Sequence, residues 1–89
     1  MTANLSTGSA SSDVKRLQEM LNYLANRAGM GPQCGSALPA LAMDGIFGAK
    51  TKARVAEFQG KALVKADGIV GPISGRALVA SVITELVRP

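Results

Sequence analysis

The sequence predicts an all-α fold, a small three-helix bundle, on three observations. The chain has 89 residues, 47% of them hydrophobic, which supports one buried core and not two domains. Apolar residues recur at spacings of three and four in three separate segments. The stretch Asp44-Gly45-Ile46-Phe47-Gly48-Ala49-Lys50-Thr51 returns 23 residues later as Asp67-Gly68-Ile69-Val70-Gly71-Pro72-Ile73-Ser74, and each copy opens a helical pattern.

Residues 1–11 are small and polar and read as a flexible lead-in to a domain over residues 12–89. Ser11 or Ser12 supplies an N-cap oxygen, and Asp13 suits the positive end of a helix. Val14, Leu17, Leu21, Leu24, Ala25 and Ala28 then predict an amphipathic helix over 13–28, closed by Gly29. Residues 29–43 hold three Gly and two Pro and keep no helical period, so they read as a long loop. A second helix is expected over 49–59, with Thr51, Val55 and Phe58 on one face and Gly60 as its stop. After a link over 61–66, the third helix starts at Pro72, where the missing N–H removes no bond, and runs to Val87.

Each repeat is D-G-I-x-G-x-x-[T/S], and its physics is readable. The Asp side chain accepts from backbone N–H groups just ahead of it and closes an Asx-type turn. The first Gly supplies a positive φ. The Ile enters the core, the second Gly sits at the helix N-cap, and Thr51 or Ser74 lies in the first helical turn with a hydroxyl for a free backbone group.

Composition narrows the chemistry. The chain has no His and one Cys, Cys34, which excludes a His-based triad, an internal disulfide and nearly all transition-metal sites. No cofactor is expected. Ten Lys and Arg against six Asp and Glu give a net charge of +4, which favours anionic partners. The basic residues are scattered rather than gathered into a nucleic-acid tail. No stretch reaches the roughly 18 apolar residues of a membrane span, and residues 1–12 have neither the basic nor the apolar region of a secretory signal.

The order Val14-x-x-Leu17-Gln18-x-x-Leu21-Asn22, then D-G-I-F-G-x-x-T, then Val55-x-x-Phe58-Gln59, then D-G-I-V-G-P, resembles the peptidoglycan-binding domain of the three-helix type over residues 12–82. The resemblance implies a pseudo-repeated three-helix bundle that holds a wall-cutting enzyme on its polymer. The chain departs from that pattern in four places. Loop 29–43 is longer, Ala62 stands where Gly is usual, Lys65-Ala66 adds a residue, and Gly75 stands where the family often has Trp or another large side chain. Cys34 lies in P-Q-C-G, similar to the cysteine switch of matrix metalloprotease prodomains. That switch follows the helical domain, whereas Cys34 precedes the first D-G-I, so an exposed loop thiol is expected instead.

The expected function is therefore non-catalytic binding of bacterial peptidoglycan at the cell envelope. The candidate ligand-binding residues are Asp44, Phe47, Lys50, Thr51, Arg54, Asp67 and Ser74 around the two turns, and Tyr23 with its hydroxyl toward solvent. Phe58 is assigned to the core. No general acid/base pair is read from Asp44 and Asp67, since each has a local backbone task and no nucleophile accompanies them. The alternative is a structural or docking module of a phage particle or protein-injection apparatus. It rests on the missing signal and the apolar end of the third helix. Delivery without a signal implies cytoplasmic synthesis and another route, or a place in such a particle. Ile83, Leu86 and Val87 are expected either to pack under loop 29–43, through Leu38, Leu41 and Met43, or to seat a protein partner or a second copy.

Overall fold

The Ser11 hydroxyl caps the first helix by accepting from the Val14 N–H at 3.3 Å, and Asp13 follows in its first turn. In the computed structural model, which describes residues 4–30 and 34–87, three helices follow one another: α1 (Ser12–Ala25), α2 (Ala49–Lys61) and α3 (Pro72–Leu86). Val14, Leu17, Gln18, Leu21 and Leu24 form the buried stripe of α1, which packs against both other helices. Val55 and Phe58 from α2, Leu78 from α3, Phe47 and Val70 from the turns, Leu41 from the loop and Leu5 complete the core. Among the described residues no helix is long and apolar enough to cross a membrane.

Several boundaries differ from expectation, each for a visible reason. α1 stops at Ala25 rather than residue 28. The Leu24 carbonyl accepts from the N–H groups of Arg27 (3.1 Å) and Gly35 (2.8 Å), which draws the chain off the helical path and leaves Ala28 exposed. Gly29 still takes a positive φ of 84°, in the turn beyond the helix. α2 runs through Gly60 instead of stopping there, and the left-handed residue that follows it is Leu63, at φ 58° and 92% exposed. Leu63 occupies a conformation that glycine adopts at far lower energy.

The stretch read as a flexible lead-in is part of the domain where it is described. Leu5 exchanges backbone hydrogen bonds with Val70 (2.9 and 2.8 Å), and its side chain is buried. Gly8 donates to Phe47 O and Phe47 donates to Ser9 O, both at 2.9 Å. Two isolated antiparallel bridges, Leu5 with Val70 and Ala10 with Ile46, therefore tie this strip across both turns.

Among the described residues the loop does not cover the end of α3. Ile83, Leu86 and Val87 are 53%, 65% and 72% exposed, and Leu38 and Met43 are exposed as well. α1 and α2 hold the loop instead. Asn22 both donates to and accepts from the Leu41 backbone at 2.9 Å. The Glu57 carboxylate accepts from the Ser36 hydroxyl (2.6 Å) and the Ala37 N–H (3.0 Å), and Lys61 donates to Gly35 O at 2.8 Å. The inward face of α3 runs through Ser74, Leu78, half-buried Val82 and Glu85. Glu85 is buried and paired with Arg27 at 3.3 Å. Cys34 is half-buried and packs against the core, unlike the exposed thiol expected. Pro32 and Gln33, which precede it in the P-Q-C-G motif, lie outside the described residues.

Candidate functional site

The two turns are built alike, atom for atom. In the first, the Ile46 N–H donates to Asp44 Oδ1 at 3.0 Å, and Gly45 takes φ 75°. In the second, the Ile69 N–H donates to Asp67 Oδ1 at 2.9 Å, and Gly68 takes φ 73°. A buried glutamine from the preceding helix clamps each one. Gln18 Nε2 donates to Asp44 Oδ1 (3.1 Å), Ile46 O (3.0 Å) and Thr51 Oγ1 (3.1 Å), while its Oε1 accepts from the Gly45 N–H (3.0 Å). Gln59 repeats the set with Asp67 (3.2 Å), Ile69 O (2.9 Å), Ser74 Oγ (2.9 Å) and the Gly68 N–H (2.9 Å). One side chain thus ties a helix, a turn and the start of the next helix. The repeating unit is larger than the turn and includes the helix before it. The isoleucine of each turn does not enter the core as expected: Ile46 and Ile69 are 58% and 40% exposed, and the next residue, Phe47 or Val70, is buried in its place.

Each unit leaves a recess beside its turn, where the following helix begins. The first, of about 190 Å³, lies among Leu41, Asp44, Ile46, Lys50 and Thr51. The second, of about 230 Å³, lies among Val64, Lys65, Asp67, Ile69, Ile73 and Ser74, with Asn4 at its edge. Leu41 and Val64 stand 23 residues apart, as do all the turn residues, so equivalent positions line the two recesses, but the lysines differ: Lys50 corresponds to Ile73, and Lys65 to Ala42. The long loop supplies a wall of the first recess through Leu41, the residue that Asn22 fixes.

The Asp44 carboxyl lies below the ordinary carboxylate range, chiefly because the Ile46 N–H bonds its charged form, with help from the Gln18 amide. Asp67 is lowered in the same way by the Ile69 N–H, and further by Gln59 and the nearby Lys65. Both are ionised at neutral pH and suited to holding charge in place, not to delivering protons. Burial pushes the Glu57 carboxyl up, but bonds from Ser36 and Ala37 and the charges of Arg54 and Lys61 bring it below its usual value.

Asp44, Lys50 and Thr51 come together at the first recess, and Asp67 and Ser74 at the second. Three expected residues do not join them. Phe47 is 1% exposed: its side chain belongs to the core, while its backbone pairs with the strip at Gly8 and Ser9. Arg54 is buried: it donates to Leu21 O at 2.7 Å and pairs with Glu57, so it fastens the loop to the core. Tyr23 is half-buried against the core, with the Arg27 guanidinium 5.7 Å from its ring centre. Gln18, Gln59 and Lys65 belong to the site in addition to the expected residues. For the glutamines the signal was present, since both occupy the last place of V-x-x-[L/F]-Q.

A comparison with curated proteins finds no match. Among solved structures the chain is similar to the SleB N-terminal domain, with 27% identity and a TM-score of 0.70 over 92% of this chain and 96% of that one. Residues 10–78 match the family described as "Putative peptidoglycan binding domain". With the repeated helix–turn units and most of the sequence inside that match, the chain belongs to this peptidoglycan-binding domain family.

Proposed function

We propose that the domain binds bacterial peptidoglycan without cutting it, and that the face carrying the two recesses makes the contact. The observation behind this reading is the repetition of a charged recess at each D-G-I turn. Asp44, Lys50 and Thr51 act at one recess, and Asp67, Ser74 and Lys65 at the other. Phe47 and Arg54 contribute as supports from within. The net charge of +4 helps hold the domain on an anionic wall. The place of action is the bacterial cell envelope.

Purified domain should pellet with insoluble sacculi, less so as salt screens its charge. The double variant Lys50→Glu, Lys65→Glu should pellet less at low salt. Recovery no greater than that of an inert protein of the same size would rule the reading out.

A second reading, a docking module for another protein in a phage particle or injection apparatus, is favoured by one observation. The outer side of α3 leaves Val79, Ile83, Leu86 and Val87 exposed, and Val79 and Ile83 line a groove of about 580 Å³ with Gly75 and Arg76, larger than either recess.

A further inference from the structure

We infer that each domain carries two separate sites, one in each recess, and that each takes the charged end of a short wall peptide rather than a sugar. The inference rests on the wall-binding reading above and deepens it.

The charges come first. Each recess has one carboxylate and one ammonium at its edge: Asp44 with Lys50, and Asp67 with Lys65. The turn bonds fall on Oδ1 of each aspartate, which leaves Oδ2 for a ligand. Neither lysine makes a hydrogen bond or a close ion pair among the described residues. A ligand that satisfies both groups carries an amine and a carboxylate. Wall peptides have this chemistry, with a terminal carboxylate and a side-chain amine on a diamino residue, whereas the sugar backbone has no amine cation.

Size and lining agree. Both volumes fall below the ~300–1,000 Å³ of sites for drug-sized ligands. That suits one or two amino-acid residues, with small apolar side chains against Leu41 or Val64. A sugar ring calls for an aromatic platform. Phe47 and Phe58 are buried, and no aromatic side chain lines either recess.

Two weak sites on one rigid domain explain how such small recesses could hold a polymer. Once one peptide is seated, a second on the same wall binds at high local concentration. Free peptide should therefore bind weakly, and intact wall far more tightly.

The test is an amide NMR titration of the intact chain with a synthetic tetrapeptide bearing a free side-chain amine and a C-terminal D-alanine. Peptide-free glycan strands and sacculus pelleting run in parallel. The tetrapeptide should shift amides of residues 44–51 and 67–74 together and saturate at two per chain. The pair Asp44→Asn, Lys50→Met should weaken binding roughly tenfold at the first recess and leave the second unchanged. Asp67→Asn, Lys65→Met should do the reverse. The Asn replacements keep the turn acceptor, and native spectra outside the altered recess verify the fold. Saturation at one peptide per chain overturns the two-site inference. Shifts with glycan but not peptide overturn the peptide assignment. If neither ligand shifts the recesses while pelleting persists, the inference fails and wall binding stands. If pelleting is also lost, both fail.

Discussion

Replacing Gln18 by Leu isolates the clamp that organises the first unit. Leucine nearly matches glutamine in volume, so the site stays filled and only the polar contacts disappear. Gln18 is 1% exposed and Gly45 is buried, so water cannot readily replace what is lost. The Gly45 N–H would lose its partner at 3.0 Å and remain buried, at a penalty of about 1–3 kcal/mol. Ile46 O and Thr51 Oγ1 would lose a shared donor, and two such bonds contribute about 0.5–1.5 kcal/mol each. The leucine side chain returns part of this through apolar burial, for a net loss of about 2–4 kcal/mol. In a domain with a stability of roughly 5–15 kcal/mol that is a large fraction. At about 4–8 °C per kcal/mol for a chain of this length, the midpoint should fall by roughly 10–30 °C in a thermal melt followed by circular dichroism. Gln59→Leu should behave alike, since Gln59 makes the same four bonds. A loss below about 0.5 kcal/mol in both variants would refute the clamp as the organising element.

Gly45→Ala and Gly68→Ala should each destabilise by about 1–2 kcal/mol through their positive φ. Gly45→Ala should cost more in a urea melt, because its Cβ meets the Ser11 carbonyl oxygen at 3.0 Å while that of Gly68 meets the movable Lys52 stem at 2.8 Å. Leu63→Gly should raise stability by about 0.5–1 kcal/mol, since Leu63 is left-handed and 92% exposed and so loses little packing; an unchanged or lower midpoint would contradict the strain. Asp44 and Asp67 have folded pKa values below their unfolded ones, so the stability they confer is complete above the unfolded value of about 3.9 and disappears as pH falls through the folded value. Replacing both by Asn should flatten the acid limb of a melt series taken from pH 5 downward. Leu86→Ser with Val87→Ser should leave the stability read from a melt within about 0.5 kcal/mol of the parent, because both side chains are exposed; a large loss would show that something covers them.

The three helices and the paired turns were legible because their signals are local. A proline at N1, a serine cap and a glycine at positive φ act within a few residues of themselves. The missed features depend on partners far along the chain. Phe47 looked like an exposed turn aromatic until residues 8 and 9 paired with its backbone. Arg54 read as a surface cation, but its guanidinium sits under a loop that Glu57 holds down. The third helix misled differently. It is apolar on nearly every side, so periodicity could not tell that Leu78 points inward while Val79 and Ile83 point out. Of the recesses, the aspartates and hydroxyls were found from the repeat. Lys65 was not, because it lies just before the second copy of the motif.

Gln18 reaches its aspartate across 26 residues, whereas Gln59 reaches its own across 8. The same knot is thus tied on strings of very different length. Polymer statistics put the extra entropy of closing the longer one at only about 1 kcal/mol, and the tethers from Asn22, Glu57 and Lys61 to the intervening segment are enough to repay it. The stretch between helix and turn is therefore a natural splice point. Sequence can be added or trimmed there while the glutamine still finds its turn, so the two halves of the domain are free to diverge in what surrounds each recess without giving up the architecture they share.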